Sequence, residues 1–173
     1  MSAYLKQTDY VNAYDLARDK KVIEGQAKLS DLPRLKDMIL PTEGTVTYRI
    51  CGMTAKKGWP GAVMELATVV PLVCNRCTKP MDFKIEREVA FRFAKSEEEA
   101  DSIPIDDDDT EVIVGSDKLN LADWIEEELI LSLPLVPAHE EGCQTDGPEE
   151  SKDEVQKPNP FAKLKDLKGL RKV

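Results

Sequence analysis

The chain has one histidine, no surplus of positive charge and no long apolar run, and each scarcity removes a class of function. A membrane-spanning helix needs about 18 or more consecutive apolar residues, and no such run occurs. Met1 to Asp9 is polar and lacks the apolar centre of a secretory signal, so the expected location is the cytoplasm. There the four cysteines, Cys51, Cys74, Cys77 and Cys143, are expected as reduced thiols rather than disulfides. The net charge of −9 argues against indiscriminate coating of RNA, because a general phosphate binder draws its affinity from Lys and Arg that displace counterions. The glycine patterns GxxxxGK[ST] and GxGxxG, which cradle phosphates, are absent, as is the nucleophile turn GxSxG. No internal repeat is present. With these signals missing, the chain is expected to be non-enzymatic.

What is present suits one ordinary domain. A chain of 173 residues, 41% hydrophobic and 33% charged, can bury a real core. Charge is uneven along it. Residues 97–111 carry nine acids and no base, whereas Lys163, Lys165, Lys168, Arg171 and Lys172 near the end face only Asp166. The acids have neither the basic nor the apolar setting that tunes a carboxylate for proton transfer, and they read as a solvated, mobile loop over Ser96 to Thr110.

Periodicity gives an α+β fold. Val11 to Lys20 is a short helical candidate, and Asp31 to Leu40 is a second, with Ser30 at its N-cap and Pro33 in its first turn. Together they make residues 10–40 a helical segment. Strand signals follow: Val46, Tyr48 and Ile50 alternate with polar residues, Ala62 to Val73 is apolar, and Met81 to Ala94 alternates most clearly. There Phe83, Ile85, Val89, Phe91 and Phe93 share one face, with Arg87 as its exception, while Lys84, Glu86, Glu88 and Arg92 share the other. Glu111 to Val114 adds a short strand. Asn120 caps a helix over residues 120–133, whose inward stripe is Leu121, Trp124, Ile125, Glu128 and Leu129. The expected organisation is a single domain over 1–143 with an antiparallel sheet at 45–114 and a few packed helices. Residues 144–173 are expected to be a polar linker and a flexible tail, ending in a short basic amphipathic segment.

One constellation carries chemistry. Cys74 and Cys77 form a CxxC pair, and His139 with Cys143 forms an HxxxC pair, together a ligand set for tetrahedral Zn²⁺. Two intervening residues let the chain turn tightly enough for both sulfurs to reach one ion, and Gly142 relaxes the second gap. Spacing leaves two readings open, a structural zinc and unliganded thiols. A redox CxxC would open a helix after a parallel strand, whereas here Pro80 and a strand follow. Four ligands would also close the site against hydrolysis. Cys51 has no partner at metal spacing.

The string from Val73 to Pro80, the run from Asp123 to His139 with Cys143 after it, the Lys157 to Leu167 ending and residues 25–35 resemble, in order, the large ribosomal RNA subunit accumulation protein (YceD) family. The resemblance implies a cytoplasmic bacterial factor needed for normal amounts of large-subunit (23S) ribosomal RNA, acting in synthesis, processing or assembly. Two modes of action are expected. In one, Arg76, Lys79, Lys84 and Arg92 contact RNA phosphates. In the other, Phe161, Leu164 and Leu167 dock as a short helix on large-subunit assembly or processing proteins, and the chain acts as an adaptor without touching RNA.

Overall fold

The computed structural model describes residues 4–55, 58–103, 110–139 and 143. All of them fall in a unit spanning Met1–Cys143. In chain order the elements are β1 (Tyr10–Val11), α1 (Ala13–Arg18), β2 (Val22–Lys28), a 3₁₀ turn (Leu29–Asp31), α2 (Pro33–Lys36), β3 (Thr45–Thr54), β4 (Pro60–Val73), β5 (Pro80–Ala94), α3 (Glu97–Ser102), β6 (Thr110–Val114), β7 (Leu119–Asn120) and α4 (Leu121–Leu131). The main sheet runs β2-β3-β4-β5-β6, and β1 pairs with β7 in a separate ribbon. The fold is α+β. Among the described residues no helix is long and apolar enough to cross a membrane.

The sheet buries one face, as its alternation requires. Ile50, Met64 and Val89 stand opposite one another across β3, β4 and β5, and all three are buried. One register step away, Glu24, Arg49, Glu65 and Glu88 make an exposed row on the other face. The helices close over the apolar side. Trp124 of α4 sets its ring edge-on to Phe91 and Phe93, at centroid distances of 4.9 and 5.9 Å. Its partner α1 lies so close to β3 that a Cβ at Gly52 would overlap the Leu16 carbonyl. Asn12 caps α1 through the amides of Tyr14 and Asp15. Asn120 caps α4 through those of Ala122 and Asp123, as its position ahead of the apolar stripe led us to expect.

Several expectations are corrected. Residues 10–40 are not helical throughout, because β2 lies between α1 and α2 and pairs along its whole length with β3. Its alternation, with Gly25 and Ala27 buried, belongs to a strand rather than a helix. The second helix is a single turn and Ser30 does not cap it; Leu32 holds that position without a side-chain bond. The sheet is not wholly antiparallel, since β5 and β6 run parallel. Thr110 pairs beside Ala90 rather than beside Ala94, the register that follows a crossover rather than a hairpin. Nor is the acidic stretch all loop. Ser96 caps α3, and Glu97, Glu98 and Glu99 occupy its first turn, where the helix dipole favours negative charge. Asp106 to Asp109 lie outside the described residues, as do Phe161, Leu164 and Leu167.

Two carboxylates of α4 are buried, Glu126 and Glu128, with 1% and 2% of their surface exposed. Glu126 Oε1 accepts the backbone amides of Arg34 and Leu35 at 2.7 and 3.1 Å, and its Oε2 meets Arg34 Nε at 3.0 Å. A carboxylate from α4 thus supplies the cap that Leu32 cannot give to α2. Glu128 Oε2 lies 3.3 Å from Arg87 Nε, and Arg87 Nη2 lies 2.9 Å from Glu111 Oε1 on β6. The one arginine on the apolar face of β5 therefore ties that strand to a helix and to its parallel neighbour.

Candidate metal centre

The turn between β4 and β5 places the first two ligands. Val73 and Pro80 close the strand ladder, and the Cys74 amide donates to the Lys79 carbonyl at 3.0 Å. Inside that loop the Thr78 amide donates to the Cys74 carbonyl at 2.9 Å. Thr78 itself takes a left-handed backbone, φ 59°, a costly conformation for a β-branched residue, and its hydroxyl donates to the Cys77 carbonyl. The turn is thereby wound tightly enough to aim both thiols to one side. The other two ligands arrive from beyond α4. Pro134 follows the helix end, and the Pro137 carbonyl accepts the Asn75 amide at 2.8 Å, which brings the segment against the knuckle and delivers His139 and Cys143.

The four groups converge. Their ligand atoms all lie within 4.8 Å of one another. Cys74 Sγ is 3.9 Å from Cys143 Sγ, and Cys77 Sγ is 3.5 Å from His139 Nδ1. A tetrahedral zinc, with Zn–S of about 2.3 Å and Zn–N of about 2.0–2.1 Å, requires S···S edges of roughly 3.8 Å and S···N edges of roughly 3.6 Å. Both of these distances fit, while the set as a whole spans up to 4.8 Å and would draw in slightly around an ion. Cys74 and Cys77 are buried, and His139 and Cys143 are half-buried. Burial pushes the Cys74 thiol up, but backbone amides of Cys77, His139 and Arg76 aimed at its sulfur outweigh this and bring it down to about 5. Burial and the neighbouring Cys74 push Cys143 up instead. The donor set suits a soft, thiophilic divalent cation. Cys51 lies on β3, apart from this cluster.

The four cations expected to meet RNA are not brought together. Arg76 and Lys79 are exposed on the knuckle itself. Lys84 is exposed further along β5 and pairs with Glu86 at 2.7 Å. Arg92 is buried, with 3% exposure, and its place on an exposed face is corrected. Alternation put it on the correct side, but β6 pairs with β5 only over Ala90 to Ala94. Arg92 lies at the end of β5 where α3 contacts both β5 and β6, paired with Gly61 on one strand and Val112 on the other, while Lys84 has a neighbour strand on one side only. At about 3.3 Å per residue, Lys84 and Arg92 stand roughly 26 Å apart along β5. The buried acids were the residues hardest to foresee. Arg87 and Glu128 each stood out as a charge on an apolar stripe, a signal that they meet; Glu126 gave none.

A family model described as "Large ribosomal RNA subunit accumulation protein YceD" matches residues 62–168, which include all four ligand candidates, the knuckle cations and α4. A curated relative of that name from Haemophilus influenzae is 35% identical over 107 residues, covering 57% of this chain and 60% of the relative. The chain thus matches less than two thirds of that relative's length. No solved structure matches. The matched stretch takes in more than half of the chain and carries the site just described, and on that footing the chain belongs to the large ribosomal RNA subunit accumulation protein (YceD) family.

Proposed function

We propose that this chain is a non-enzymatic cytoplasmic factor needed for the accumulation of large-subunit (23S) ribosomal RNA, with a structural Zn²⁺ held by Cys74, Cys77, His139 and Cys143. The observation that carries the first part is the family match over residues 62–168. What supports the second is the agreement of two ligand–ligand distances with tetrahedral edges. Four protein ligands leave no open coordination position for substrate or water, so the metal's part is to fix two chain segments together. Arg76 and Lys79, exposed on the metal-held turn, are the residues proposed to meet RNA phosphate. Phe161, Leu164 and Leu167 are proposed to dock on an assembly or processing protein.

The adaptor reading draws on a separate observation: the four cations expected to meet RNA are dispersed, and Arg92 among them is buried. Deleting the gene tests the function itself. The ratio of large- to small-subunit RNA is expected to fall and to be restored by the wild-type chain; an unchanged ratio would overturn the proposal.

A further inference from the structure

The segment that delivers His139 also presents its bulkiest aliphatic groups to water. Leu133 packs against the core, but Leu135 is 99% exposed and Val136 is 67% exposed. Leu131, at the end of α4, and Val73, next to Cys74, are exposed as well. Scattered exposed leucines are ordinary, but Val73, Leu135 and Val136 lie on the two segments that meet at the ligand cluster. The Asn75 amide on the Pro137 carbonyl sets residues 135–137 beside the CxxC turn. The backbone has little freedom to fold them away. Pro134 and Pro137 fix their own φ angles and bias the residues before them toward extended conformations. α4 anchors one end, and His139, in the ligand cluster, anchors the other.

We infer that Leu135 and Val136 form a preformed apolar knob by which the chain docks on a protein component of large-subunit precursor particles, into an apolar pocket with an acidic rim. The inference rests on the proposed role in large-subunit RNA accumulation. RNA is a poor occupant, because branched aliphatic side chains neither stack on bases nor donate to phosphate. The acidic rim follows from charge complementarity, since Arg76 is an exposed cation of the turn that Pro137 abuts. The metal centre acts here as the clamp that holds the knob in place at the turn, so little ordering remains to be done on docking.

The test uses the full chain and the gene-deletion strain. Leu135→Asp with Val136→Asp is expected to bind as much zinc and to melt at the same temperature as wild type, since both side chains lie outside the core. It should bind purified precursor particles at least tenfold more weakly, bind protein-stripped precursor RNA equally well, and fail to restore the RNA ratio. The milder Leu135→Ser should lose particle binding in part, and Arg76→Glu should weaken it in the same direction. If deletion lowers the RNA ratio but the double variant restores it fully, the knob is wrong and the functional proposal stands. If deletion leaves the ratio unchanged, the functional proposal falls and takes the knob with it. An equal loss of binding to stripped RNA would make this an RNA surface. A wild-type dimer that the double variant dissociates would make it a self-contact. Either result overturns the inference.

Discussion

Glu128 gives up water for one shared guanidinium. Burial raises its pKa first, repulsion from Glu111 adds to this, and Arg87 only partly offsets them, so the carboxyl titrates at about 7 rather than 4.5. A raised carboxyl pKa stabilises the folded chain fully below the unfolded value, and that contribution is lost as pH climbs through the folded value. Between about pH 5 and about pH 8 the wild type is therefore expected to lose up to about 3 kcal/mol relative to Glu128→Gln, each tenfold in proton affinity being worth about 1.4 kcal/mol. Denaturant titrations of both proteins across that range measure it, and parallel curves would refute the assignment. Comparing the two proteins cancels the opposite trend expected of the cysteine cluster, from which acid would displace a bound metal. Both members of this pair were readable as misfits, Arg87 among phenylalanines and Glu128 on an apolar stripe. Alternation told which side of the sheet Arg92 faces. It could not tell that α3 and β6 would pack at that end of β5, because this depends on tertiary packing rather than on local pattern.

At the scale of elements, α2 is held by a residue that local sequence cannot reveal. A one-turn helix without a side-chain cap is unstable alone, and Glu126, 92 residues from Arg34, satisfies its first amides. Glu126→Ala should cost about 2–4 kcal/mol, because it leaves two backbone donors and part of a guanidinium unpaired; urea unfolding measures this. The β5 strand was legible because a period of two over more than ten residues has one reading, β3 by a shorter alternation and β4 by its apolar composition. The parallel direction of β6 was not, since a five-residue strand carries no mark of polarity. The candidate ligands were legible as two half-sites, but their meeting depends on the Asn75 amide and the Pro137 carbonyl. The chain as purified should carry about one Zn²⁺, and Cys77→Ser should lose it. Chelation should lower stability by about 3–4 kcal/mol if free zinc exceeds its dissociation constant 100- to 1,000-fold. Hydrogen exchange should then rise in residues 74–79 and 132–139 while the centre of β4 stays protected. Exchange unchanged at the knuckle would refute the clamp.

For the molecule as a whole, charge decides how RNA can be met. A chain at −9 repels phosphate at long range, and the exposed row Glu24, Arg49, Glu65 and Glu88 offers the open sheet face no net attraction. With Arg92 buried and Lys84 beside Glu86, the proposed phosphate contacts narrow to Arg76 and Lys79, both exposed at the knuckle. Each phosphate neutralised contributes about 0.7–0.9 to the log–log salt slope, so contact through these two predicts a slope no steeper than about −2. Arg76→Ala with Lys79→Ala should bring it close to zero and weaken binding, whereas neutralising Asp106 to Asp109 should strengthen binding without sequence preference. A slope steeper than about −4 would mean that other cations do the binding, and removal of residues 159–173 would then identify the basic end as their source. Should the purified chain show no affinity for precursor RNA even at low salt, direct contact is refuted. The molecule would then reach the large subunit through protein alone, with the metal-held turn serving to present its apolar residues.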